Sequence, residues 1–354
     1  VIVAVTGATG NIGSVVTRQL LDRGHEVRGV ARRVPGASTD DTLRWYAVDL
    51  SKRGAQGALR PVLAGADAVV HTAWGFQPTR DTAYLEALDI GGTDAVLRAA
   101  RAEGVHHLVH VSSVGVYSPG RGAGPVDETW PRGGTADLTY SRDKAAAEQL
   151  LDAHEAEGDS GPVVTRVRPS LFARGDIGGA LDRYTLPSLL PAQLVAHLPL
   201  LPLDRDFRVQ VTHTEDIAAG IVSAVEGVVP GPFNLAAEPV LTRADVARAL
   251  DATPVHLPWQ ALRLLAALAW RLRLQPVDPG WLDMAWDVPV LSSERARREL
   301  EWSPRHDPRD VLTQAVAGMA AQTGTETAAL RPRRWTEQLV NLLRHGPVSR
   351  RPMA

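Results

Sequence analysis

The sequence predicts an open α/β fold: a doubly wound parallel sheet followed by a smaller, mainly helical C-terminal lobe. Three observations carry that expectation. The chain opens Val1-Ile2-Val3-Ala4-Val5, a short apolar β-rich run that reads as a buried strand. A turn follows, Thr6-Gly7-Ala8-Thr9-Gly10-Asn11-Ile12-Gly13, and then a helical pattern with Val15, Val16, Leu20 and Leu21 on one face, stopping at Gly24. Strand and helix signals then alternate. Val27–Val30, Val69–Ala73 and Leu108–Ser112 read as strands, with helices near 82–103 and 140–157.

Strand, glycine turn and helix form the context of a Rossmann-type dinucleotide site. The glycines allow a tight turn and let backbone N–H groups approach a pyrophosphate, which rests on the positive end of the helix. The first two glycines stand three apart, unlike the Gly-x-Gly-x-x-Gly of the usual dehydrogenase fingerprint.

The length suggests more than one domain. Residues 1–170 read as the dinucleotide-binding domain, with segments near 205–236 returning to it as strands, Val209–Val211 and Phe233–Leu235. Residues 171–320 read as the substrate lobe: a Pro-, Gly- and Leu-rich cover from Phe172 to Asp206, then Val240–Leu250, a 258–274 helix and residues 291–318. The stretch Ala261 to Leu274 is too short and too rich in arginine to span a bilayer, and reads as an amphipathic helix packed on the fold. A membrane-surface role is the weaker alternative. Residues 321–354 form a polar C-terminal extension with one short amphipathic helix, Trp335–Leu343. It docks on the body, on a second subunit in a homodimer, or stays solvated.

Composition excludes several classes. A net charge of −2 argues against nucleic acid as a partner. The absence of cysteine excludes disulfides and thiolate chemistry. With no signal-type segment ahead of the first strand, a cytoplasmic protein without a membrane anchor is expected. His106, His107 and His110 cluster but lack partners for a metal, so no metal site is expected.

The 38 basic residues comprise 36 arginines and two lysines, and one of those lysines, Lys144, follows Tyr140 by four residues. A chain that uses arginine almost everywhere keeps lysine where a planar guanidinium will not serve. A compact ammonium can lie beneath a phenol and a sugar hydroxyl together. A solvated lysine that merely follows a tyrosine is the plainer alternative.

These motifs, taken together, resemble an extended short-chain dehydrogenase/reductase of the NAD-dependent epimerase/dehydratase family. Thr6-Gly7-Ala8-Thr9-Gly10-Asn11-Ile12-Gly13 matches the family's opening turn. Asp49-Leu50 matches the acidic pair after the third strand, which in the family contacts the adenine. His71-Thr72-Ala73-Trp74 takes the place of the loop after the fourth strand. Ser112-Ser113-Val114-Gly115-Val116-Tyr117 matches the Ser-Ser-x-x-Val-Tyr stretch, and Arg168-Pro169 the later Arg-Pro pair. His213-Thr214-Glu215-Asp216-Ile217-Ala218 and Phe233-Asn234-Leu235 complete a match over roughly residues 1–318. The resemblance implies cofactor contacts from Thr6, Gly7, Thr9, Gly10, Asn11, Ile12, Gly13, Asp49, Leu50, Thr72, Ala73, Trp74, Ser112, Tyr140, Lys144, Pro169 and Leu171.

The chemistry expected is hydride transfer at a carbonyl or secondary alcohol. Tyr140 and Lys144 share a helix face. A nearby ammonium favours the phenolate, lowering a tyrosine pKa that is ordinarily about 10. Tyr140 then serves as general acid or base, Lys144 also bonds the nicotinamide ribose, and Ser113 donates to the substrate oxygen. Ser112 is the competing serine; counting back from Val116-Tyr117 selects Ser113. Trp74 follows a strand carboxyl end, a position from which it could meet substrate.

NADP(H) is favoured over NAD(H). The second strand, Glu26 to Ala31, ends without the acid that accepts from ribose hydroxyls, and Arg32-Arg33 follow, suited to a 2′-phosphate. The substrate is a small molecule. Leu171 stands where nucleotide-sugar members carry asparagine, and Val209 where they carry a diphosphate-gripping arginine, with Arg208 adjacent. Asp89 replaces the usual asparagine before Gly-Thr. With the Leu- and Pro-rich run from Leu186 to Leu203, these departures favour a fairly apolar carbonyl or hydroxyl compound. The alternatives are a nucleotide-sugar epimerase/dehydratase with tightly bound NAD and a non-catalytic NADP-binding regulator or scaffold.

Overall fold

The computed structural model describes residues 1–36, 40–75, 81–158, 161–179, 199–272, 274, 277–325, 327 and 329–332. Seven parallel strands form the central sheet: β1 (Ile2–Thr6), β2 (Glu26–Ala31), β3 (Leu43–Ala47), β4 (Ala68–His71), β5 (His107–Val111), β6 (Val163–Pro169) and β7 (Gly231–Leu235). Their spatial order is β3-β2-β1-β4-β5-β6-β7, so the order reverses between β1 and β4. That reversal opens a crevice at the strand carboxyl ends, where open α/β sheets bind ligands.

Successive side chains of each strand enter opposite cores. Val3, Val5, Val70, Val109, Val111 and Val167 pack with Ile12, Val15, Val16 and Leu20 of α1 (Asn11–Asp22) and with Ile217 and Ile221 of the Thr214–Gly227 helix. Ala4, Val69, Leu108 and Val164 face the other way. They meet Leu59 and Val62 of α2 (Ala55–Leu63), Val96 of α3 (Thr82–Ala102) and Leu151 of α4 (Thr139–Ala156). Each fully buried aliphatic side chain contributes about 1.5–3 kcal/mol, so both faces of the sheet are held independently. The helix α1 ends as expected, with Gly24 at φ +80° just past its C-cap.

Elements of the second half depart in detail from expectation. The 231–235 strand joins the sheet beside β6, but Arg208–Val209 pairs with Leu241–Thr242, and Val211–His213 with Leu171–Ala173. Ala296, Leu300 and Trp302 lie in the core beside Phe233 and Leu235. The helix Trp259–Arg271 keeps its tryptophan side inward. Trp259 stacks on Trp286 with ring centroids 4.6 Å apart, and Arg263 pairs with Asp283 at 2.6 Å. Those two contacts set its rotation and leave leucines facing outward, contrary to the expectation of an apolar face packed on the fold. The extension begins on the body: Leu330 packs with Ile177, and Thr323 bonds Gly175 O and Gly179 N. Leu186–Leu198 and the expected 335–343 helix lie outside the described residues.

Candidate active site

The glycine turn joins β1 to α1. Gly7 sits at φ +73°, and a Cβ there would come within 2.8 Å of Thr72 Oγ1. At Gly13 a Cβ would meet Gly7 O at 2.2 Å. Gly10, the N-cap, has no side chain to spend on the first-turn amides, which a helix leaves without backbone acceptors. This cradle fits a pyrophosphate at the positive end of α1. Thr6 Oγ1 bonds His71 Nδ1 at 2.7 Å, and Thr72 Oγ1 donates to Thr6 O at 2.7 Å, locking β4's exit loop to the turn. Beside the turn, Arg174 donates to Asn11 Oδ1, and Thr327 Oγ1 donates to Thr9 O at 3.2 Å.

Asp49 and Leu50 follow β3. The Asp49 carboxylate accepts from Ser51 N and Oγ, and Leu50 is buried against Gly92. Arg32 leaves the end of β2 and donates to the Tyr84 hydroxyl at 2.6 Å, while Arg33 is exposed. Among residues 26–31 the only acid is Glu26, at the far end of the strand.

Three side chains converge above β5. Ser113, buried at the strand's exit, hydrogen-bonds the Tyr140 side chain, and Tyr140 lies in the first turn of α4. Ser141 anchors that turn, accepting from Thr135 N and donating to Gly115 O. One helical turn on, Lys144 is buried and donates to Val111 O at 2.8 Å. Its Nζ lies 3.3 Å from the centroid of the Trp74 ring, a cation–π contact, and 5.9 Å from that of Tyr140. Trp74 meets Tyr140 edge-on at 6.4 Å, and Trp281 lies against the Tyr140 ring at 4.8 Å. A Cβ on Gly115 would stand 2.9 Å from Met284 Sδ and 3.2 Å from Tyr140, so glycine there admits the methionine to the wall of the site.

The two serines separate cleanly. Ser112 Oγ donates to Glu148 at 2.6 Å, behind the strand, and its N–H bonds Val167 O. Glu148 also receives two bonds from Arg168, whose guanidinium reaches the Tyr117 hydroxyl at 2.8 Å. Tyr117 in turn donates to Asn234. Ser112 thus joins a buried network, and Ser113 faces the phenol. Pro169 is buried at the end of β6, while Leu171 is exposed.

Burial reverses the direction that the neighbouring lysine alone would give the phenol. It pushes Tyr140 up to about 12, with the Ser113 bond opposing and the Asp89 charge adding. Burial also pulls Lys144 down to about 7, against the attraction of Asp89 and Glu148. Asp89 went unnoticed as a titrating group. Its Oδ1 accepts from Gly75 N at 2.6 Å, its Oδ2 is buried without a partner among the described residues, and burial raises it to about 8 despite the Gly75 bond and Lys144. The available signal was an acid where the family pattern has a neutral amide.

The histidines of β5 pack within the sheet. His107 bonds Thr165, and both ring nitrogens of His110 are buried. His213, Glu215 and His306 bring ligand-type atoms within 4.8 Å of one another. Yet His213 and His306 stack at 3.8 Å and 23°, so their in-plane lone pairs run side by side rather than converging. Arg18 holds Glu215, and Asp216 receives Arg305 N and His306 N. This cluster caps and anchors the 214–227 helix.

Fold and site together define a nicotinamide-dinucleotide-dependent enzyme of the short-chain dehydrogenase/reductase type, an oxidoreductase or epimerase/dehydratase. Residues 3–236 match the NAD dependent epimerase/dehydratase family, and the chain belongs to it. A ketoreductase of Stigmatella aurantiaca, named for a farnesylated dihydroquinoline oxide, is 28% identical over 335 residues, covering 90% of this chain and 97% of that protein. A 3 beta-hydroxysteroid dehydrogenase/Delta 5-->4-isomerase of Mycobacterium tuberculosis is 25% identical over 347 residues, covering 89% of each. The fold is also that of UDP-glucose-4-epimerase from Stenotrophomonas maltophila, solved with bound NAD. Its TM-score is 0.68 at 21% identity, covering 90% of this chain and 98% of that one. No described helix is long and apolar enough to cross a membrane.

Proposed function

We propose that the protein is an NADP(H)-preferring oxidoreductase that reduces a carbonyl, or oxidises the matching secondary alcohol, on a fairly apolar small molecule. The observation that carries this reading is the Ser113–Tyr140 pair with Lys144 behind it, walled by Trp74, Trp281 and Met284. The named side chains of that wall are apolar, which suits an apolar substrate. The names of the ketoreductase and the steroid dehydrogenase point the same way.

The bound dinucleotide supplies or accepts the hydride. Tyr140, protonated across neutral pH, gives its proton to the substrate oxygen in the reductive direction. Ser113 holds that oxygen by a second hydrogen bond. Lys144 steadies the phenol's surroundings and offers the donor that a ribose hydroxyl needs. The Trp74 indole lies over the same ammonium, so a ribose hydroxyl would meet Lys144 beside that ring. Thr6 to Gly13 would cradle the pyrophosphate, and Asp49 and Leu50 would meet the adenine. Arg32, tethered by Tyr84, and Arg33 favour a 2′-phosphate. The domain reading stands with this proposal: residues 1–170 with the returning strand bind cofactor, and the later lobe shapes substrate specificity.

Tyr140→Phe tests the reading. NADPH-dependent reduction of apolar ketones should fall at least about 100-fold while NADPH still binds. Full activity in the variant, or NAD-dependent turnover of a UDP-sugar by the wild type, would overturn it.

A further inference from the structure

The helix Trp259–Arg271 carries an apolar surface that the described body leaves open. Leu264 is 70% exposed, Leu265 57%, Leu268 53% and Leu272 60%. At 100° per residue these four fall within an arc of about 100°, a single face rather than scattered positions. Leu274, past the helix end, is also 60% exposed. Isolated exposed leucines are ordinary; a contiguous set marks a surface that meets something apolar.

Charge narrows what that is. Arg263 is paired with Asp283, but residues 252–277 hold two further basic side chains, Arg271 and Arg273, and no aspartate or glutamate, in a chain of net charge −2. An arginine-bearing, acid-free helix with one leucine face is the pattern of a helix lying in the headgroup region of an anionic bilayer. Its inner side belongs to the candidate active site. Trp259 stacks on Trp286 and Arg263 pairs with Asp283, both on the Pro279–Asp287 helix that places Trp281 against Tyr140.

We infer that this helix docks the enzyme on an anionic membrane surface, with Leu264, Leu265, Leu268 and Leu272 seated among the lipid chains. The mouth walled by Trp281 and Met284 then opens close to the bilayer, where an apolar substrate is concentrated. That consequence rests on the apolar-substrate reading; the docking itself does not.

The test uses the full chain and sedimentation with phosphatidylcholine vesicles, with and without phosphatidylglycerol. The wild type should bind the anionic vesicles, more weakly at high salt. Leu264→Ser/Leu265→Ser/Leu268→Ser should reduce that binding at least about tenfold and leave turnover of a water-soluble ketone unchanged. The inference is overturned if the wild type ignores vesicles or the triple variant binds them equally. It also fails if the wild type is a dimer that the same substitutions convert to monomer, which would make a second copy the occupant. Tyr140→Phe should bind vesicles like wild type, so failure of the catalytic reading and failure of docking remain distinguishable.

Discussion

Replacing Asp89 by asparagine should preserve the shape of the site and change how stability responds to pH. Asp89 is 1% exposed, its Oδ1 accepts from Gly75 N, and Oδ2 has no partner among the described residues. Burial raises it from an ordinary 3.8 to about 8. Between about pH 4 and pH 8 the folded chain therefore keeps a proton that the unfolded chain has released. Wild-type stability falls as pH rises through that window, by at most about 1.4 kcal/mol per unit, and the loss is complete above the folded pKa. From about pH 5.5 to about pH 8 the ceiling is about 3 kcal/mol; water entry and the response of Lys144 bring the expected value to about 1–2 kcal/mol. Lys144, held near 7 by burial, gives stability the opposite slope above that pH, but it is present in both chains and largely cancels in their difference. The amide of Asp89→Asn keeps the acceptor for Gly75 and carries no charge to bury. Urea unfolding of both chains across this range should show the variant gaining on the wild type as pH rises. A difference that stays flat would refute the assignment of a buried, proton-holding carboxyl.

Three further outcomes follow from the geometry. Arg32→Ala should raise KM for NADPH about tenfold or more and leave KM for NADH nearly unchanged, since charge-assisted bonds to a 2′-phosphate are lost; steady-state kinetics with both cofactors decides this. Arg168→Met strips Glu148 of its main partner and should cost about 3–5 kcal/mol in chemical denaturation, at the lower end because Arg132 remains. Adding Glu148→Leu to that variant should recover part of the loss. Gly13→Ala forces a Cβ within 2.2 Å of Gly7 O and should destabilise the fold by about 1–3 kcal/mol. It should also weaken NADPH binding, read by fluorescence titration.

The start of the sheet was readable because β1 and β4 are short apolar runs beside helical patterns, and the two periods differ sharply; β3, Leu43–Ala47, mixes polar and aromatic residues and follows β2 with no helix between them. Tyr140 and Lys144 stood out because lysine is so rare here. What depends on three-dimensional surroundings did not show. The direction of the Tyr140 shift required knowing how deeply the phenol lies, and a lysine four residues away suggested the opposite sign. Ser112 and Ser113 are adjacent on an exiting strand and point opposite ways. Only the position of Glu148 on α4 shows which hydroxyl is taken. The 259–271 helix has apolar residues on several sides, so its pattern alone could not say which side packs. Trp286 and Asp283, more than ten residues later, choose it. The pairing partners of Arg208–Val209 and Val211–His213 are equally nonlocal.

The network through Glu148 has a consequence for how such a site diverges. Glu148 sits one turn beyond Lys144 on the same helix, and through Arg168, Tyr117 and Asn234 it ties that helix to two neighbouring strands at the sheet's edge. Directional polar bonds tolerate little sliding, whereas packed aliphatic side chains can shift and refill. The proton-handling helix is therefore indexed to the scaffold by fixed pins. Residues of the outer lobe that do not touch the phenol, as Trp281 does, can be exchanged to suit new molecules without unsettling where it stands.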